Sequence, residues 1–150
     1  MIKWSNDSLL AQKILLMDDV WPWVSDDSCD KDTFVFPNID GIKTRLALCI
    51  YDEKLYGCFI LFEKSPKITE IHTCLFLHGK SKYFGDLVVE RIFNDTDYDV
   101  IETFVPIDNP AAKKLAEKCG FVVVGEKDPI IKNGKSIKVE LMELKKCQQQ

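Results

Sequence analysis

Apolar residues along this chain follow two periodicities, and the switch between them marks out its elements. Lys43 to Tyr51 (KTRLALCIY) and Leu55 to Phe62 (LYGCFILF) are near-continuous apolar runs of strand length. Joined at Asp52-Glu53-Lys54, they predict a hairpin. Ile68 to Leu77 (ITEIHTCLFL) extends this meander by a third strand, expected antiparallel to the second. Beyond it the period lengthens. Leu87, Val88, Ile92 and Phe93 make an apolar stripe on a helix over about Lys82 to Phe93. Ala112, Leu115, Ala116 and Cys119 stand at i, i+3, i+4 and i+7 on a second helix, Pro110 to Cys119. Val100 to Val105 is a strand between these helices, and Phe121 to Val124 opens another. Lys132-Asn133-Gly134 turns a final hairpin that ends in Ile137 to Leu144. At the start, Met1 to Trp4 predicts a short strand. Ser5 or Asn6 then caps a helix over Asp7 to Met17 with Leu10, Ile14 and Met17 on one face. The order is an α/β class with a mixed sheet: a helix, a β-meander, then β-α-β-α-β units closed by a terminal hairpin.

The stretch VPIDNPAAKKLAEKCGF, Val105 to Phe121, carries its own folding signals. Asn109 is a good N-cap, and Pro110 suits the first helical position because its missing N–H would have no partner there. Gly120 fits a left-handed residue just past the helix, and Phe121 provides the hydrophobic contact that accompanies it.

Composition narrows the chemistry. The 150 residues suit a single domain, expected over residues 1–145, with Lys146 to Gln150 as a frayed tail. With 24 acidic against 20 basic residues and no basic face, nucleic acid is an unsuitable partner. The six cysteines form no CxxC pair and no Cys/His cluster at zinc spacing, so no metal is expected. Cys49, Cys58, Cys74 and Cys119 lie in apolar runs, as reduced thiols do. No signal-peptide pattern and no run of transmembrane length is present, so a soluble, cytoplasmic protein without a membrane partner is expected.

The order of parts now carries a resemblance. Strand, glycine-bearing turn (HGKSKYFG), helix, strand, N-x-x-A-x-x-L-x-x-K-x-G-F helix and terminal hairpin resemble the acyl-CoA-binding half of the GNAT acetyltransferase superfamily, over Ile68 to about Leu144. VWPWVSDD (Val20 to Asp27) together with EIHTC (Glu70 to Cys74) is similar to small GNAT-like proteins encoded by phages and prophages.

The resemblance implies acetyl-CoA as co-substrate, an amine acceptor, and two strands that splay apart between the third meander strand and Val100 to Val105. The pyrophosphate would rest on the N-terminus of the helix after the third strand, where unbonded N–H groups and the dipole favour an anion. The cofactor-binding set it implies is Leu75, Phe76, Leu77, Lys80, Ser81, Lys82, Tyr83, Phe84, Gly85 and Asn109. Lys80 replaces the family's usual Arg or Gln, Tyr83 stands where a glycine is usual, and Gly85 keeps the last small residue. The catalytic candidates are Glu70 and His72, two apart and therefore on one face of a strand. Histidine titrates near neutrality and is the better-suited base; the alternative for His72 is a buried ring bonded to neighbouring backbone. His78 reads as a loop residue. Ala116 occupies the position of the family's acidic tyrosine, so Tyr83, a water or unaided departure of the thiolate must serve instead. Trp21, Trp23, Asp26 and Asp27 either wall an acceptor pocket or, for the tryptophans, anchor the chain to the core. The expected protein is thus an N-acetyltransferase. Its rival is a catalytically degenerate scaffold, in the host cytoplasm or on a virion, that binds a phage or host protein.

Overall fold

The computed structural model describes residues 1–148. Its elements in chain order are β1 (Ile2–Ser5), α1 (Ser8–Leu15), α2 (Trp21–Val24), β2 (Thr44–Tyr51), β3 (Lys54–Ser65), β4 (Ile68–Leu75), α3 (Ser81–Asp95), β5 (Val100–Pro106), α4 (Pro110–Lys118), β6 (Val122–Lys132) and β7 (Lys135–Lys145). A 3₁₀ turn, Lys146–Gln148, follows where a frayed tail was expected; residues 149 and 150 of that tail lie outside the described residues. The strands form one seven-stranded mixed sheet in the order β1-β2-β3-β4-β5-β7-β6. All neighbours are antiparallel except β4 and β5, which are parallel.

Each face of the sheet has its own core, which explains the near-continuous apolar runs of the meander. Phe59 and Leu61 pack with Phe84, Val88, Ile92 and Phe93 of α3, while Cys58 and Ile60 pack with Ala11, Ile14 and Leu15 of α1. A strand covered on both sides needs apolar residues in both phases of its two-residue period. No helix among the described residues is long and apolar enough to cross a membrane.

The expected turns form for the expected reasons, with shifted ends. The first hairpin turns on Asp52 and Glu53 alone, both with positive φ, so Lys54 belongs to β3. The last hairpin turns on Asn133 and Gly134, again both positive, as a tight two-residue connection requires. At the end of α4, Gly120 (φ 98°) donates to the Glu117 carbonyl and Phe121 to the Ala116 carbonyl, the paired bonds of a Schellman stop. The first helix differs. Ser5 is still paired in β1, so the cap moves to Asp7, whose carboxylate accepts from the Leu10 amide at 3.0 Å. The helix ends at Leu15. Met17 therefore falls beyond the apolar stripe and is exposed, and Ala11, Ile14 and Leu15 make the buried face. The four-residue α2 has no counterpart in the sequence reading; it starts with Pro22 in its first turn.

Gly57 is the tightest point of the meander. Its φ is 136°, and a β-carbon there would lie 2.2 Å from the Cys74 carbonyl oxygen of β4. Gly57→Ala therefore combines steric overlap with a backbone that L-residues avoid and should cost about 3 kcal/mol in urea unfolding. Gly134→Ala meets open space at φ 75°, so it should cost only about 1 kcal/mol. Equal losses would contradict the close approach of β3 to β4.

Candidate active site

The parallel ladder between β4 and β5 lasts for three residue pairs, Ile68↔Val100, Thr69↔Ile101 and Glu70↔Glu102, and then stops. Both strands continue, to Leu75 and Pro106, but their backbones no longer pair with each other. One polar group freed by this parting is satisfied locally: the Thr103 hydroxyl donates to the Ile71 carbonyl at 2.9 Å. A cavity of about 330 Å³ opens where the strands part. On one side it is lined by Val88 and Val89 of α3 and by Ala112, Leu115 and Ala116 of α4; on the other it meets His72, Phe104, Trp23 and Asp26.

Glu70 and His72, sharing a face of β4, make a dyad at this opening. His72 Nε2 lies 2.7 Å from Glu70 Oε1. The ring stands edge-on to Phe104 (4.7 Å between centroids) and to Phe62 (5.8 Å). The second carboxylate oxygen of Glu70 faces two ammonium groups, Lys64 at 3.0 Å and Lys127 at 3.6 Å. Burial alone would raise the Glu70 carboxyl. Hydrogen bonds from His72 and Lys64, with the charges of His72 and Lys127, outweigh it and bring the group down to about 2. Glu70 is therefore an anion, which only accepts hydrogen bonds. The proton shared with His72 must sit on Nε2, and Nδ1 is left as the basic nitrogen.

The other expected site residues divide. Asn109 and Gly85 line the cavity. Asn109 also caps α4, its side-chain oxygen accepting from the Ala112 amide at 3.2 Å. Gly85 has a packing cause as well: a β-carbon there would lie 2.6 Å from Cys119 Sγ, so glycine lets α3 approach the end of α4. Lys80, Ser81, Lys82, Tyr83 and Phe84 form the start of α3 and are not part of the cavity wall. The first backbone bond there runs from Phe84 N–H to the Lys80 carbonyl, which leaves the amides of Ser81, Lys82 and Tyr83 without helical partners. The Lys80 ammonium lies 4.0 Å above the Tyr51 ring, and Tyr83 stands edge-on to the same ring at 5.8 Å. Lys82 is paired with Asp86 one turn on. Leu75 is buried in the core, and the amides of Phe76 and Leu77 both donate to the Tyr56 carbonyl.

On the acceptor side, Trp23 and Asp26 reach the cavity. Trp21 packs edge-on against Phe34 at 5.3 Å. Asp27 is bound to the last hairpin: its carboxylate accepts from the amides of Asn133 and Gly134, each at 2.9 Å, and its own amide donates to the Ile131 carbonyl. The two backbone donors hold its carboxyl below the usual range. No tyrosine lines the cavity among the described residues, and Ala116 is part of its wall. Burial raises the neighbouring Cys119 thiol to about 11, so it stays protonated at neutral pH.

Sequence reasoning missed Lys64, Lys127, Phe104 and Thr103. Lys64 was within reach of register arithmetic, since Phe62 pairs with Glu70 across the β3–β4 hairpin. Lys127 lies far from Glu70 in sequence, and no local pattern announces it.

No family profile and no curated protein sequence matches the chain. Solved structures do. Spermidine N-acetyltransferase from Vibrio cholerae, in complex with CoA and spermine, superposes with a TM-score of 0.73 at 16% identity, covering 99% of this chain and 96% of that one. The aminoglycoside acetyltransferase AAC(6')-Ib, in complex with coenzyme A and kanamycin, gives 0.70 at 15% identity, over 98% and 96%. The N-acetyltransferase PseH from Campylobacter jejuni, in complex with acetyl coenzyme A, gives 0.59 at 17%, over 70% of each chain. A variant of the Vibrio enzyme is matched over 69% of this chain and 66% of its own length. At these identities the finding is one of fold: the chain shares the fold of these N-acetyltransferases, with its own mixed seven-stranded sheet and with β4 and β5 parting after three pairs.

Proposed function

We propose that this protein is an acetyl-CoA-dependent N-acetyltransferase that acts on a primary amine by direct transfer. The observation that supports it most is the Glu70–His72 dyad at the mouth of the cavity between β4 and β5. The acetyl-CoA solved with PseH and the CoA solved with the spermidine and aminoglycoside enzymes are the ligands of chains with this fold.

On this reading the pantetheine arm lies in the cleft, with backbone groups of β4 and the Asn109 side chain as polar partners. The diphosphate meets the free amides of Ser81, Lys82 and Tyr83 and the Lys80 ammonium. The acceptor arrives past Trp23 and Asp26. His72 Nδ1 takes one proton from its ammonium, and the resulting imidazolium is stabilised by the Glu70 carboxylate. The amine nitrogen then attacks the thioester carbonyl and the C–N bond forms; the nitrogen gives its second proton to solvent, and the C–S bond breaks as the tetrahedral intermediate collapses to the amide. With Ala116 on the wall and no tyrosine beside it, solvent protonates the departing thiolate. A thiol titrates close enough to neutrality for this to be a small burden.

The second reading, a GNAT scaffold without catalysis that serves a phage or host partner, is favoured by Ala116 and by the engagement of Lys82 with Asp86. The two separate cleanly. Under the enzyme reading, acetyl-CoA at about 100 times its Kd stabilises the fold by about 2.7 kcal/mol, a thermal shift of several degrees. Amine-dependent thiol release from acetyl-CoA should fall about 10²- to 10⁴-fold in His72→Ala while that shift is retained. A flat melting curve at millimolar acetyl-CoA favours the scaffold.

Glu70 makes a pH prediction independent of turnover. Its folded-state value lies below the unfolded one of about 4.3, so it stabilises the protein above that pH. The contribution is lost as pH falls from about 4.3 through about 2. Urea unfolding of wild type should therefore weaken across that window more steeply than in Glu70→Gln. Parallel curves would show that Glu70 is not held as an anion.

A further inference from the structure

We infer that Lys127 is a positioning residue for the base, setting the state of His72 from a strand on the far side of the sheet. This rests on reading His72 as the base.

β6 is three strand spacings from β4 in the sheet order, which in a flat sheet is about 14 Å. Lys127 nevertheless places its ammonium 3.6 Å from Glu70 Oε2. The β6–β7 hairpin must therefore arch back over the face that carries the dyad. Two features produce the arch. The β6–β7 register breaks between Lys127 and Ile130, a bulge containing Asp128 and Pro129. Bulges bend a strand and re-aim its side chains. Lys127 on one flank of the bulge reaches Glu70, and Ile130 on the other lines the cavity. The tip of the hairpin is then fastened by the Asp27 carboxylate and by the Asp27 amide on Ile131.

Lys127 touches two of the three groups packed against the imidazole, Glu70 and Phe104. Its ammonium lies 4.5 Å above the Phe104 ring, which stands edge-on to His72, and it shares Glu70 Oε2 with Lys64. Glu70 is thereby divided, Oε1 to His72 and Oε2 to two cations, and cannot turn away. The charged groups facing the dyad are Lys64 from β3, Glu102 opposite Glu70 on β5, Lys127 from β6 and Asp26 after α2. Of these, Lys64 comes with the β3–β4 hairpin itself. Lys127 is the cation delivered by the arched hairpin, so the second cation on Glu70 is in place only when that hairpin is seated.

The sign of its effect follows. A cation beside the dyad opposes protonation of the ring, so removing it makes the imidazolium easier to form and the base form is lost at a higher pH. In Lys127→Met, the acidic limb of the kcat/KM profile and the pH at which the His72 ring protons shift by NMR should both move upward. The expected movement is about half a pH unit or more. Lys127→Arg, which keeps the charge and the reach, should stay with wild type, and circular dichroism should show all three folded. An unmoved Lys127→Met, or a Lys127→Arg that moves as far as the methionine variant, would overturn the inference. Lack of turnover in wild type would overturn the transferase reading instead, and the ring titration in the same variants still decides the role of Lys127.

Discussion

The site depends on a hydrogen-bond ladder that ends early. After Glu70↔Glu102 the parallel strands β4 and β5 part, and buried peptide groups then need other partners. The Thr103 hydroxyl serves the Ile71 carbonyl; the cavity fills the rest of the gap. A paired sheet would close this space and bury Glu70 and His72 with no ligand within reach. Parted, it creates a slot passing from the α3/α4 face to the α1/α2 face. A slot through a sheet suits a reaction in which a long thioester comes from one side and its acceptor from the other.

The two faces accordingly differ in chemistry. On the α3/α4 side the wall is made by Val88, Val89, Leu115 and Ala116, and the helices approach closely because Gly85 leaves room for Cys119 Sγ. On the other side stand a histidine, a carboxylate and two lysines, tied together so that one anion is shared by three donors. Burial and ion pairing oppose each other at Glu70, and pairing wins because both carboxylate oxygens are engaged. The Asp27 contact and the Lys127 contact make the last hairpin part of this side of the site although it is remote from it in sequence.

Much of this was legible in the chain because the signals were local. Asn109, Pro110, Gly120, Asn133 and Gly134 each specify a cap or a turn by their own backbone preferences, and each does so in the structure. The doubly apolar strands announced their burial on both faces. Glu70 and His72 shared a face by the two-residue period alone. What escaped depended on contacts across the fold. Asp7 rather than Ser5 caps α1 because β1 keeps Ser5 in its ladder. Asp27, read as an acceptor residue, is bonded to a turn more than a hundred residues away. Gly85, read as part of a phosphate loop, also faces the end of α4, where a β-carbon would crowd Cys119 Sγ. Lys127 reaches Glu70 only through a bulge and a curled sheet, and neither has a local sequence signature.

Amide hydrogen exchange tests most directly the proposal that the parted strands hold acyl-CoA. Saturating acetyl-CoA should slow exchange in residues 71–75 of β4, 103–106 of β5 and at the first turn of α3, while leaving β1 and β2 unchanged. Unaltered exchange across β4 and β5, or protection confined to another surface, would contradict it.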